Sequence, residues 1–345
     1  MRIVFMGTPA FAVPSLRALV EGGYEVAGVV TNPDKAVGRH GHTLVPSPVK
    51  QYAVSQGLPV LQPDRLKDES FVAALREWQA DVQVVVAFRL LPEVVWAMPP
   101  MGTFNLHAAL LPNYRGAAPI QWALINGERE TGLTTFLLDR DVDTGRILLQ
   151  VRVPIADDDD AGTLHDRLME RGAQLVVETL DGLQRGTLTP VDQHLWPAPA
   201  ALRPAPKIFR DTCRIDWRQS AEQVRNLLRG LCPTPGAWTL LKAPDERPGD
   251  APGDAPADVD SPLAQSHSSL FTLNSSLPGE LLKIYKAALS DYAEPAAPGT
   301  LLCIDGHLLA RCGDGWLTLL EVQPAGKKRM SGADFLRGRG CRYVL

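Results

Sequence analysis

The chain has 345 residues, 45% hydrophobic and 21% charged, with a formal net charge of −4. That length accommodates two domains of ordinary size, no apolar run reaches membrane-spanning length, and the negative total does not advertise a nucleic-acid partner. The five cysteines, an odd number with no C-x-x-C pair and all beyond residue 200, argue against a disulfide framework or a Cys-rich zinc site.

Arg2–Met6 (RIVFM) reads as a buried strand closed by Gly7-Thr8-Pro9, Phe11–Glu21 as a helix stopped by Gly22-Gly23, and Tyr24–Thr31 as a second strand. Strand, glycine turn, helix and strand open a parallel α/β sheet. The opening turn lacks the G-x-G-x-x-G fingerprint, which disfavours a nicotinamide enzyme. The chain enters this strand without a basic, apolar and small-residue leader, so a cytoplasmic location is expected. Residues 32–48 form a long polar loop with Lys35, Arg39, His40 and His42, either a solvated surface loop or a functional one. Two histidines with no carboxylate or cysteine nearby make a poor metal site, and no metal is expected.

The alternation continues with helices at 49–56, 69–79 and 92–98 and strands at 59–61, 81–87 and Thr103–His107. A helix is expected over 120–126, strands over 133–138 and 146–153, and a long helix ending near Gly186, opened by a Thr163/Asp166 capping box. Residues 188–206, with five prolines and little periodicity, read as a linker. Beyond it, short strands at 213–217, 237–241, 281–287, 300–304, 307–311 and 316–322, with a helix over 221–230, point to a small β-barrel. Residues 244–280 interrupt it with an acidic, low-complexity insert expected to be disordered. Six acids against Arg247 lie between 244 and 260, whereas 325–345 carries six basic residues against Asp334, so a basic patch can sit beside an acidic insert.

Function in such sheets gathers at the carboxyl ends of strands. Asn105 and His107 lie at one such end, and a period of two puts both side chains on one face. Asp143 follows in Asp141-Val142-Asp143-Thr144-Gly145. An aspartate beside the imidazole would orient it and favour its charged form, and an asparagine amide and an imidazolium could together hold an oxyanion. No Ser or Cys accompanies them, so the trio suits direct acyl transfer better than a covalent intermediate. Spacing alone also fits a structural histidine closing a strand, with Asp143 in a plain Asp-Thr-Gly turn.

The run FNLHAALLPNYRGAAPIQWA, followed by DVDTG, resembles the signature of the folate-dependent formyltransferases. The opening VFMGTPAFAVP, the loop PDKAVGRH, and the later RIDW, NLLRGLCPTPGAW and LLEVQPAGKKRM resemble the branch that acts on methionyl-tRNA. The match runs nearly end to end, residues 244–280 excepted. It implies a Rossmann-like formyltransferase domain with a parallel-rich sheet over 1–187, a linker over 188–206 and an OB-like β-barrel over 207–345. The implied reaction moves the formyl group of 10-formyltetrahydrofolate to the α-amino group of initiator methionyl-tRNA, with no metal and with a monomer expected. By the same resemblance Asn105, His107 and Asp143 are catalytic. Ala109, Leu110, Leu111 and Pro112 bind the folate, and Lys35, Arg39, Lys327, Lys328 and Arg329 meet tRNA. Two departures stand out. Ala109 replaces the usual serine, costing one hydroxyl and about 0.5–1.5 kcal/mol if it made a hydrogen bond. Residues 87–92 (AFRLLP) are one residue shorter than the usual A-Y-G-x-I-L-P and lack its glycine. A sugar-nucleotide formyltransferase and a non-catalytic tRNA-binding homologue are the alternatives.

Overall fold

A computed structural model describes residues 1–37, 43–241, 269–272 and 280–339. The chain forms two compact units, one of residues 1–123 and 128–207 and the other of residues 124–127 and 208–345.

The first unit is built on β1 (Arg2–Gly7), α1 (Val13–Glu21), β2 (Glu25–Val30), a hairpin of β3 (Lys35–Val37) and β4 (Thr43–Val45), α2 (Pro48–Ser55) and β5 (Val60–Leu61). It continues through α3 (Glu69–Glu77), β6 (Val82–Val86), α4 (Glu93–Trp96), β7 (Thr103–His107), α5 (Pro119–Ile125), β8 (Glu130–Leu137), β9 (Ile147–Pro154) and α6 (Ala161–Gln184). The sheet order is β5-β2-β1-β6-β7-β8-β9. Pairing is parallel from β5 to β7 and antiparallel from β7 to β9. The chain runs outward from β1 in one direction through β2 and β5, then resumes on the other side of β1 with β6 and β7. That reversal leaves a crevice at the carboxyl ends of β1, β6 and β7, where α/β sheets hold ligands.

Burial explains the strand sequences. All five residues of β6 are buried, as a strand covered on both faces requires. The one polar side chain among them, Gln83, accepts a hydrogen bond from Thr103 Oγ1 at 3.0 Å. Phe71, Val72 and Leu75 of α3 pack on the face that carries Val4, Met6, Val30 and Val85. Helix α6 crosses the strands at Gly172, where a Cβ would lie 2.7 Å from Leu106.

Three expectations for this unit are corrected. The polar loop at 32–48 contains the β3–β4 hairpin, whose ladder pairs Lys35 with Val45; His40 and His42 lie outside the described residues. The capping box of α6 is Asp160 with Thr163, because Asp160 accepts from the Gly162 and Thr163 amides while the Thr163 hydroxyl accepts from the Asp160 amide. Residues 188–206 do not leave the first unit as a linker. Val191 bridges Ile147 through two backbone hydrogen bonds of 2.8 and 2.9 Å, and Ala205 pairs with Arg115 and Ala118.

In the second unit α7 (Ala221–Leu231) precedes β10 (Ala237–Leu241), β11 (Ser269–Thr272), β12 (Glu280–Ser290), β13 (Thr300–Ile304), β14 (His307–Arg311), β15 (Trp316–Pro324), β16 (Met330–Ser331) and α8 (Gly332–Arg339). The strands make one antiparallel sheet in the order β10-β12-β15-β14-β13-β11, with β16 beside β15. Val224, Leu228 and Leu231 of α7 join Leu282, Ile284, Leu317 and Val322 in its core. The strand expected at 213–217 is a 3-10 turn (Asp211–Cys213) and a single bridge from Arg214 to Trp238, although Ile215 and Trp217 are buried as the alternation implied. One strand, β11, falls inside the insert expected to be disordered and pairs with β13. Cys213, Cys232 and Cys312 are buried thiols, and burial pushes Cys312 up to about 12.

Replacing Asp160 with alanine removes the acceptor for two amides at the start of α6. Urea unfolding should show a loss of about 1 kcal/mol, and an unchanged midpoint would mean the cap contributes nothing.

Candidate active site

A cavity of about 540 Å³ opens at the carboxyl ends of β1, β6 and β7 and is lined by Asn105, His107 and Asp143 among others. The three residues that the sequence singled out therefore meet, although Asp143 comes from the loop after β8. One wall is apolar, formed by Phe88, Leu90, Leu91, Leu138 and Val142. Among the described residues, the lining carries no serine, threonine, cysteine or lysine.

His107 is 6% exposed, and its Nε2 lies 2.8 Å from the Tyr114 carbonyl. A carbonyl only accepts, so Nε2 carries a proton there and Nδ1 is the nitrogen left to face the cavity. Asp143 Oδ2 lies 3.7 Å from Nδ1, beyond hydrogen-bond reach. That carboxylate oxygen instead accepts from the Gly116 amide at 2.9 Å. The expectation that Asp143 aims the imidazole is corrected: the Tyr114 carbonyl aims it, and Asp143 supplies charge beside it. Asn105 is half-buried, and its side-chain amide has no protein hydrogen bond among the described residues. Its hydrogen-bonding capacity is therefore open toward the cavity.

Several neighbours fix these positions. The Tyr114 hydroxyl donates to Glu128 at 2.6 Å, and the Tyr114 amide donates to Arg203 O at 2.7 Å. Gly116 sits at φ +127°, and a Cβ there would lie 2.4 Å from the Ala205 carbonyl oxygen. Only glycine brings that amide under Asp143. Asp143 itself has φ +56°, a left-handed conformation that costs energy for a residue with a Cβ.

Residues 87–91 of the shortened segment line the cavity. Ala87 takes φ +48°. The Arg89 guanidinium donates to the Pro63 and Asp64 carbonyls at 2.7 and 2.9 Å, stapling the loop in place. Across the cavity, His165 of α6 sets its ring 5.1 Å from Phe11, with Nδ1 2.9 Å from Asp166 Oδ1. Sequence reading passed over His165 because it lies within a regular helical pattern.

Ala109, Leu110, Leu111 and Pro112 do not line the cavity. Ala109 is fully buried against Tyr114 and Ala205. Thr134 donates to the Ala109 carbonyl and accepts from the Leu111 amide, and Gln150 donates to the Leu111 carbonyl. The segment shapes the site from behind. The basic residues differ among themselves. Lys35 is exposed on β3, and Arg39 lies outside the described residues. Lys327 and Lys328 are exposed with no ion pair among the described residues. Arg329 is committed within its own unit, 3.4 Å over the Tyr285 ring and donating to Pro233 O at 3.0 Å.

These features converge with the relationships of the chain. A family model described as formyl transferase matches residues 1–180, and one described as formyl transferase, C-terminal domain, matches 207–247 and 268–340. The chain belongs to the formyl transferase family. It is 49% identical over 342 residues to a methionyl-tRNA formyltransferase of Bacteroides thetaiotaomicron, covering 98% of this chain and 95% of that one. It is 52% identical over 341 residues to the methionyl-tRNA formyltransferase of Parabacteroides distasonis, with the same coverage. The fold is shared with HypX from Aquifex aeolicus in complex with tetrahydrofolic acid (TM-score 0.59, 18% identity, 97% of this chain and 47% of that one). It is also shared with WlaRD, a sugar 3N-formyl transferase (TM-score 0.60, 16% identity, 95% and 99%).

Gly116→Ala should displace the amide that holds Asp143 and lower stability by roughly 1–3 kcal/mol through strain and a broken buried hydrogen bond. Thermal unfolding read beside catalytic rate checks this, and wild-type values of both would contradict the cradle described.

Proposed function

We propose that this formyltransferase moves the formyl group of 10-formyltetrahydrofolate to the α-amino group of methionine on initiator tRNA. The observation that carries the reading is the pairing of two oxyanion donors, Asn105 and His107, with Asp143 in a cavity whose described lining has no serine, threonine, cysteine or lysine. Without a hydroxyl, thiol or lysine amine to hold an acyl group, transfer goes directly between two bound substrates. The relatives' names support methionyl-tRNA as the acceptor.

The donor fits the site. A cavity of about 540 Å³ with an apolar wall and a few converging polar groups suits a flat heteroaromatic ligand, and the unpartnered Asn105 amide awaits an acceptor. The folate supplies a formyl carbon on a nitrogen able to leave. Asn105 Nδ2 and the Nδ1–H of imidazolium His107 hold the formyl oxygen as it gains charge. Tyr114 keeps the ring from turning, and Asp143 balances the positive charge. As the methionine amine forms its bond to the formyl carbon, Asp143 Oδ1, which has no protein partner among the described residues, takes the amine proton. That proton passes to the folate nitrogen as its bond to the formyl carbon breaks. For the acceptor, Lys35, Lys327 and Lys328 offer exposed charges to phosphates. Arg329, stacked on Tyr285, holds the turn that presents the two lysines.

Asn105→Ala and His107→Ala should each lower kcat by roughly 10²–10³ and leave methionyl-tRNA affinity largely unchanged. Formylation assayed with purified protein decides this, and near-normal turnover in either variant would remove that residue from the mechanism. Lys327→Ala and Lys328→Ala should each reduce the slope of log K against log salt by about 1. An unaltered slope would take these lysines off the tRNA. An amino-sugar nucleotide offered in place of methionyl-tRNA should not be formylated.

A further inference from the structure

Gln193 lies in the proline-rich stretch after α6, far in sequence from the motif residues, yet it makes four hydrogen bonds at the site. It is 4% exposed. Its Nε2 donates to the Asp143 carbonyl at 2.8 Å and to the Gly145 carbonyl at 2.8 Å. Its Oε1 accepts from Arg115 Nε at 3.0 Å and Nη2 at 2.6 Å. The guanidinium only donates and the two carbonyls only accept, so the amide can face one way. Both donor hydrogens and both acceptor positions are used.

This arrangement bears on the trio directly. Asp143 stands in a left-handed conformation that an isolated aspartate would leave. Its carboxylate is held by the Gly116 amide, and Gln193 holds its backbone. Gly145 fits beneath the loop only because it lacks a side chain, a Cβ there falling 1.7 Å from the Leu137 carbonyl oxygen. Gln193 is delivered to the loop by the Ile147–Val191 bridge two residues earlier. Arg115, the other half of the clamp, sits between Tyr114, which aims His107, and Gly116, which holds Asp143. One amide thus ties the loop bearing Asp143 to the loop that positions both Asp143 and His107.

We infer that Gln193 is a positioning residue for the reaction, clamping the 143–145 backbone to Arg115 so that Asp143 and His107 hold their mutual geometry. The inference rests on the catalytic role proposed for Asp143. Glutamine suits both sets of partners, whereas asparagine is shorter, glutamate cannot donate to two carbonyls, and leucine can neither donate nor accept.

The test compares Gln193→Glu with Gln193→Leu in the full chain. Gln193→Glu keeps an acceptor for Arg115 but turns carboxylate oxygens toward the two carbonyls. Both variants should lower kcat for methionyl-tRNA formylation on the order of 10²-fold, the effect of a small misplacement of reacting groups, with KM for both substrates little changed. Hydrogen–deuterium exchange should accelerate in residues 139–146 and stay at wild-type rates in β1 and β6. In an Asp143→Asn background, Gln193→Glu should add little, because the two residues act as a unit. If Gln193→Leu does not fold, Gln193→Glu carries the test. Wild-type kcat and wild-type exchange in Gln193→Glu would overturn the inference, as would a loss confined to KM or a loss fully additive with Asp143→Asn. If the wild-type chain fails to formylate methionyl-tRNA, the functional reading falls, and exchange across 139–146 alone decides whether the clamp exists.

Discussion

The hydrogen bond from His107 Nε2 to the Tyr114 carbonyl fixes what the site can do. A carbonyl cannot donate, so one ring nitrogen is committed to the protein and the other is turned to the cavity. The imidazole is then a donor to substrate only in its doubly protonated form, and in the proposed reaction Asp143, at 3.7 Å, is the counter-charge for that form. Tyr114 can hold the ring because its own amide, hydroxyl and neighbours are bonded to Arg203, Glu128 and the strand-like pairing of 115–118 with Ala205.

The sheet determines where this happens. Because β1 is the point from which the chain winds in both directions, the carboxyl ends of β1, β6 and β7 are not covered by a direct crossover and open as a crevice. Asn105 and His107 face it together through the two-residue period of β7. Phe88, Leu90, Leu91, Leu138 and Val142 give the crevice its apolar wall. Arg89 keeps that wall in place by binding two backbone carbonyls.

Much of this could be read from the sequence, and the exceptions share a physical character. The strands β1, β2, β6 and β7 announced themselves as apolar runs between turn residues, and the trio stood out as polar residues at a strand end. What stayed hidden acts through the backbone or through long-range pairing. Tyr114 aims the histidine with a carbonyl, which any residue possesses. Gln193 sits among prolines with no periodicity, so it resembled linker until its partners, 48 and 50 residues earlier, were seen. The folate role expected of Ala109 to Pro112 came from the resemblance alone, and in the structure Ala109 and Leu111 are buried. Ile215 and Trp217 alternate as a strand would, but they reach the core from an extended segment with one bridge rather than a ladder.

In the proposed reaction the formyl group passes directly between two bound substrates, and the protein acts as hydrogen-bond donor, counter-charge, proton acceptor and frame without carrying the formyl group itself. A single-turnover quench with methionyl-tRNA and labelled 10-formyltetrahydrofolate measures this most directly. Label should reach the α-amine of methionine on the same time course as folate release, and no folate should be released when the acceptor is withheld. Folate release without acceptor, with label left on the protein, would contradict it.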